Sequence, residues 1–153
     1  MNTPGWLAFI GDRGVLDASS AKAYFHDKLV PAATAPDRGP YAIVRADTEQ
    51  PIGTIGLYER PTLDVPDLGY ALLPSAEGFG YAREASEAML AFAEGKHQGR
   101  AAIAPLRIGA ITVPVNTASV RVLERLGFTF QRPVILPHSD ETLHYYEWCA
   151  IDS

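Results

Sequence analysis

Gly78-Phe79-Gly80-Tyr81-Ala82 stands between an apolar run that closes at Leu73 and a long stretch of helical periodicity. Glycines at that place let backbone N–H groups converge where a Cβ would block approach or forbid a positive φ. With the positive end of a helix dipole behind them, such amides cradle an anion, and a pyrophosphate-bearing cofactor suits the arrangement. Two glycines ahead of a helix also occur as a plain turn, so the pattern alone leaves both readings open. Two better-defined phosphate motifs fail. The dinucleotide fingerprint needs a third glycine where Arg83 stands, and the nucleotide P-loop needs Gly-Lys-Ser/Thr.

Other residues of chemical potential are less organised. His26, His97, His138 and His144 form no i, i+4 pair and have no acidic partner at ligand spacing, so no metal site is expected and surface positions account for them. Cys149 stands alone, without zinc-ligand or disulfide company, and is read as a small buried residue with no role. Glu84 is a first-turn helix charge that complements the dipole. Arg121 and Arg125, four apart, make a solvated helix stripe. His144, Tyr145, Tyr146 and Trp148 alternate along one strand, so one face packs in the core while the other is free to line a groove.

These residues belong to a chain of 153 residues, 47% hydrophobic, which fits one globular domain over 1–153. Thirteen basic against eighteen acidic residues give a net charge of −5, which excludes the electrostatic footprint of a nucleic-acid binder. No run of about eighteen apolar residues and no basic-then-apolar start is present, so neither a membrane span nor an export signal is expected. The single cysteine fits a reducing cytoplasm.

The positioning elements follow from periodicity. Met1 to Gly14 is a Gly- and Asp-punctuated start. Asp17-Ala-Ser-Ser is an N-cap region, and Ala21, Tyr24, Phe25 and Leu29 predict a helix from Ser19 to Leu29 stopped by Pro31. Pro31 to Pro40, with three prolines and a glycine, is a loop. Tyr41 to Ala46 and Pro51 to Glu59 form a hairpin around Asp47-Thr-Glu-Gln, and Leu68 to Leu73 adds a third antiparallel strand. From Tyr81 the period becomes helical, with Ala82, Ala85, Met89 and Phe92 on one face and Gly95 and Gly99 closing the helix. Loop to Pro105, a strand from Arg107 to Val113, a helix from Thr117 to Leu126 stopped at Gly127, and strands Phe128–Leu136 and Thr142–Cys149 complete a mixed α/β layer architecture.

Ile52-Gly-Thr-Ile-Gly-Leu, Leu68-Gly-Tyr-Ala-Leu-Leu-Pro74, Gly78-Phe-Gly-Tyr-Ala-Arg-Glu-Ala and the Asn116 to Phe128 helix, in that order, resemble GNAT acetyltransferases. The ribosomal-protein N-acetyltransferase (RimJ/RimL) branch is the most similar, and the resemblance runs from about Phe9 to about Phe130. It implies an α/β fold with a largely antiparallel sheet, whose strand Leu68 to Leu73 splays from strand Ile108 to Val113 with pantetheine in the gap. The free edge at Ala71, Leu72 and Leu73 would hydrogen-bond the cofactor, acetyl-CoA. The amides of Gly78, Phe79, Gly80, Tyr81 and Ala82 would take its pyrophosphate, and Asn116 and Ser119 would face the pantetheine end.

The implied chemistry is direct attack of a neutral amine on the thioester, with a backbone N–H near Leu72 or Leu73 as oxyanion donor and no covalent enzyme intermediate. A tyrosine that often protonates the leaving thiolate in related enzymes is replaced here by Leu123, which leaves Ser119 as the substitute. Ser75 stands where an arginine or glutamine often opens the glycine motif. Glu59 and Asp67, near strand ends, are the available general bases, perched against the simpler reading that they are loop-flanking surface acids. The family's first strand and helix are not matched, so the fold is expected to be N-terminally shortened. A late annotated start, a covering partner such as a second copy in a homodimer, or a reduced domain would each explain that. The reading from another class is a non-catalytic acyl-CoA-binding or dimerisation module. The acceptor amine stays open among protein N-termini, polyamines, antibiotics and small metabolites, with net acidity leaning towards cationic ones.

Overall fold

Thr3 and Pro4 open a helix that the punctuated start conceals. The Thr3 side chain accepts from the Trp6 N–H, and Pro4 at the first helical position has no N–H to leave unpaired, giving α1 (Pro4–Phe9). The computed structural model describes residues 2–33, 38–98, 106–137 and 139–150, so Gly99, the loop to Pro105, part of the Pro31 to Pro40 loop and His138 lie outside the described residues. After α1, Asp17 and Ser20 form a reciprocal capping box that starts α2 (Ala18–Tyr24).

The predicted stop at Pro31 is wrong. The helix passes through a π turn, Phe25–Leu29, into α3 (Val30–Ala33). Val30 N–H reaches back five residues to the Phe25 carbonyl. That wider turn relieves the clash that a proline ring makes with the carbonyl four residues earlier, so Pro31 is carried rather than breaking the run.

Six strands form one sheet in the order β1-β2-β3-β4-β6-β5. β1 (Tyr41–Val44), β2 (Pro51–Tyr58) and β3 (Asp67–Leu72) make the expected antiparallel meander. Its first turn closes with Arg45 N–H on the Gln50 carbonyl and Glu49 at φ 56°. β1 forms one rim, and among the described residues no strand pairs its outer side. β4 (Arg107–Thr112) lies parallel to β3. β6 (Thr142–Cys149) runs antiparallel to β4, and β5 (Thr129–Ile135) antiparallel to β6 at the other rim.

The crossovers between β3 and β4 and between β4 and β5 carry α4 (Tyr81–Gln98) and α5 (Thr117–Arg125), which cover the same face of the sheet. Ile55, Leu57, Leu68, Ile108, Ala110 and Tyr146 present period-2 alternation to Met89, Leu90 and Ala93 of α4 and Leu123 of α5, forming the main core. Gly95 lies inside α4 rather than closing it. A helical glycine costs about 1 kcal/mol, and the alanines, Glu94 and Lys96 around it outweigh that. α5 stops as expected: Gly127, at φ 87°, bonds the Glu124 carbonyl while Phe128 N–H bonds that of Leu123, a Schellman closure with both Leu123 and Phe128 buried.

Val113, Val134, Leu143 and Tyr145 build a second apolar cluster with Leu63 and Val65 on the opposite face. Tyr145 and Tyr146 thus point to opposite sides, as alternation requires, whereas Cys149, still paired with Arg107 at the end of β6, is exposed rather than buried because it lies beyond both apolar clusters.

Gly53 faces Leu72 where β2 and β3 approach closely. A Cβ there would run into the Ala71 carbonyl oxygen and lie 3.2 Å from the Leu72 Cα. Backbone cannot yield as a flexible side chain does. Gly53→Ala is therefore expected to cost about 2 kcal/mol by overpacking, read as a lowered urea midpoint with unchanged m-value.

Candidate active site

β3 and β4 are parallel neighbours that pair at one end only. Their register has a single partner pair, Asp67 with Gly109, secured by Gly109 N–H on the Pro66 carbonyl at 2.9 Å. Beyond that joint the strands diverge, and both run towards helix starts: β3 to the glycine turn ahead of α4, β4 to Asn116 ahead of α5. The sequence-predicted cofactor residues are thereby gathered at the open end of one V-shaped gap, on its two walls.

On the β3 wall, Gly78 and Gly80 adopt φ 83° and 87°, and no atom lies within 4 Å of where either would carry a Cβ. Glu84 N–H bonds the Gly80 carbonyl at 3.0 Å, which makes Gly80 the N-cap of α4. A glycine cap has no side chain to satisfy the first helical amides, so those of Tyr81, Ala82 and Arg83 have no intrahelical partner and are available to a ligand. Phe79 is exposed at the turn's tip, its ring 5.9 Å from that of Tyr81, and the Arg45 guanidinium sits 5.9 Å over the Tyr81 ring. These open amides, approached past two glycines that carry no Cβ, fit the diphosphate of a coenzyme A. Ser75, in the short helical turn Pro74–Ala76, is exposed beside them.

On the β4 wall, the Asn116 side-chain oxygen caps α5 by accepting from Ser119 N–H at 3.2 Å, leaving the Asn116 amide NH2 to face outward interactions. Ser119 is half-buried in the first turn. Leu123 is 2% exposed in the main core, so the position at which related enzymes often carry a tyrosine serves packing here.

Strand geometry sorts the expected edge donors. Leu73 N–H is already bonded to the Ile52 carbonyl at 2.8 Å, so it is not a free oxyanion donor. Antiparallel pairing alternates the side to which N–H groups point, so Ala71 also faces β2, whereas Leu72 and Tyr70 turn their amides into the gap. Of the three expected edge residues, only Leu72 turns its amide into the gap.

The two carboxylates lie elsewhere. Glu59, at the end of β2, is exposed and ion-paired with Arg38. Asp67 is 1% exposed at the closed end of the V and bonds Arg60 Nε at 2.7 Å. Burial pushes its carboxyl above the ordinary carboxylate range, with Arg60 opposing. Asp67 is about 10 Å along β3 from Tyr70, at three residues of strand rise, so the structure does not bring either acid onto Ser119.

Around Asp67 the face opposite α4 and α5 is polar. Tyr58, packed over Gly69, has its hydroxyl pushed up by burial and by Asp67 and Tyr24. Arg107 grips Glu147 with two bonds of 2.7 Å, and Tyr145 donates to Glu147 at 2.7 Å, which with burial pushes the phenol to about 12. Two surface hollows of about 380 and 230 Å³ open on this side, lined chiefly by residues 59–66 and by Arg107, Arg132, Tyr145 and Glu147. They lie at the closed end of the V, away from the glycine turn. Sequence reasoning missed Arg60, Arg107 and Glu147, since only the folded sheet brings them together. It also missed Tyr70, whose alternation with Leu68 was enough to place it on the helix-covered face.

A fold of splayed parallel strands with a glycine-capped helix at the mouth can bind an acyl-CoA and expose its thioester in the gap. The family model described as acetyltransferase (GNAT) domain matches residues 2–129, and the chain belongs to the GNAT acetyltransferase family, whose mixed, mostly antiparallel sheet with flanking helices it has. No curated protein matches it by sequence. An acetyltransferase from Agrobacterium tumefaciens is similar at 27% identity and TM-score 0.71, over 95% of this chain and 78% of that one. RimJ of Mycobacterium smegmatis, solved in complex with CoA-disulfide, is 24% identical with TM-score 0.65, over 86% of this chain and 62% of that one. Spermidine N-acetyltransferase from Vibrio cholerae, solved with CoA and spermine, is 12% identical with TM-score 0.71, over 97% of this chain and 84% of that one. Among the described residues no helix is long and apolar enough to cross a membrane.

Arg60→Ala would leave the Asp67 carboxylate buried without its counter-charge, at a cost of about 3 kcal/mol at pH 7. Because the folded-state pKa of Asp67 is raised, the stability linked to its proton is fully present below the ordinary carboxylate range and lost as pH rises through the raised value. The variant's deficit is therefore expected to shrink from pH 7 towards pH 4 in paired urea titrations. A deficit independent of pH would mean that Arg60 supports the joint by packing alone.

Proposed function

We propose that the chain is an N-acetyltransferase that moves an acetyl group from acetyl-CoA to a primary amine by direct attack. One observation carries this reading: β3 and β4 meet only at Asp67 and Gly109, and the gap beyond has a glycine-capped helix start on one wall and the Asn116-capped start on the other. When bound, acetyl-CoA supplies the thioester and its acyl group. The amides of residues 78–82 hold the diphosphate, and Asn116 NH2 and the β3 edge hold pantetheine. Leu72 N–H steadies the acyl oxygen as negative charge builds on it.

Of the two carboxylates, Asp67 is the better proton acceptor. It sits where the V closes, and its raised pKa suits it to take a proton from an approaching ammonium through water. Glu59 is solvated at the strand end and paired with Arg38. The acceptor approaches from the polar face around residues 59–66, where Glu59 and Asp64 line one hollow and favour a cationic amine.

The test is acceptor-dependent release of free thiol from acetyl-CoA across a panel of polyamines, small amines and peptide N-termini, alongside calorimetric CoA binding. Wild type is expected to turn over at least one amine. Gly80→Asp puts a carboxylate into the cradle and strains a φ of 87°, and is expected to weaken CoA binding about 100-fold or more. Unchanged affinity would move the diphosphate site elsewhere. Tight CoA binding with no turnover of any amine would favour the binding module.

A further inference from the structure

Tyr70, on the strand that forms one wall of the gap, carries a buried hydroxyl. Its ring stands on the helix-covered face of β3 and packs against the main core, and its hydroxyl lies towards the Ser119 side chain at the first turn of α5, short of a hydrogen bond. The phenol therefore leans from the β3 wall of the gap towards the start of α5. Its oxygen is shut off from water, and among the described residues no group stands in hydrogen-bond geometry to it. Ser119 is close enough to influence its ionisation without completing a bond. An unsatisfied buried hydroxyl costs about 1–3 kcal/mol, so this one is a donor held dry without an acceptor. The position on α5 at which related enzymes often carry a tyrosine is Leu123, which is core.

Resting on the transferase reading, we propose that the Tyr70 hydroxyl, backed by Ser119, is the donor that receives the sulfur of CoA in the gap. In the transfer, the acyl carbon–sulfur bond breaks and its electron pair goes to sulfur. The amine nitrogen keeps the acyl group and gives up one proton to the base or water. Tyr70 donates a hydrogen bond to the thiolate and keeps its own proton. Burial supports that division, since it pushes the phenol above its ordinary range and keeps it neutral, while Ser119 at its back limits the rise. A sulfur anion arriving at an otherwise orphaned donor gains a charge-assisted bond that the empty gap lacks.

The experiment compares wild type with Tyr70→Phe in the full chain. CoA affinity is read by calorimetry, ionisation of the bound CoA thiol by thiolate ultraviolet absorbance across pH 6–10, and turnover by thiol release. CoA affinity at pH 6, where the thiol is neutral, is expected to stay within about twofold. The bound thiol should titrate about one pH unit higher in the variant, equivalent to a tenfold loss of thiolate stabilisation. The kcat should fall at least about tenfold with little change in acetyl-CoA KM. Melting temperature should hold or rise, because the hydroxyl makes no bond in the fold. Ser119→Ala should shift the thiol titration in the same direction by a smaller amount. Identical thiol titrations in wild type and Tyr70→Phe would overturn the assignment, as would a kcat loss matched by a loss of melting temperature. Failure of wild type to bind CoA at all would instead overturn the transferase reading, and this inference with it.

Discussion

The bond from Gly109 N–H to the Pro66 carbonyl is the pivot of the molecule. Parallel strands ordinarily zip along their whole length, because unpaired backbone groups are costly away from water. Here the zip stops after one pair, and the amides of Leu72 and Tyr70 are left facing a gap. The rest of the chain makes that tolerable. Helices α4 and α5 press on one face from opposite sides of the gap, and the residues that clamp the joint are concentrated at its closed end. Asp67 is pinned by Arg60, and Gly109 lacks the side chain that would strike the Tyr145 ring, 2.8 Å from where its Cβ would stand. The gap is open because its far end is held shut.

The two faces of the sheet divide the labour accordingly. The helix-covered face is apolar except for a few dry hydroxyls, those of Tyr70 and Ser86 among them, and it meets the gap from below the two helix starts. The other face carries charge in tight pairs, Arg60 with Asp67 and Arg107 with Glu147, the latter also holding the Tyr145 phenol. On the proposed transferase reading, cofactor and acceptor would approach a shared gap from different directions.

What could be read from the sequence was what is local. The glycine turn and the Gly127 stop are short-range devices whose residue types state their backbone conformation, and both stand where they were expected, while the Asn116 cap, equally local, was not read as one. The strand runs were legible from β-rich composition, with ends off by one or two residues. What was not legible depends on partners far along the chain. Leu73 looks like a free edge amide until Ile52 is seen to hold it. Asp67 looks like a loop acid until Arg60 and the sheet enclose it. Tyr70 reads as one more apolar residue in a strand, and only the position of Ser119, forty-nine residues on, gives its hydroxyl a meaning. α1 was hidden for the opposite reason, since its Thr-Pro start is local but flanked by glycines that argued for a turn.

The π turn at Phe25–Leu29 bears on how this segment should be compared between sequences. A five-residue turn holds about one residue more than an α-helical turn, and so amounts to an insertion absorbed without a loop. Residues on either side are rotated by about 100° relative to a single continuous wheel, so a helical wheel drawn across the whole run mixes two faces. An alignment that places its gap in the flanking loops would therefore shift every contact of Tyr24 or of Val30 by one position. The gap belongs inside the helix.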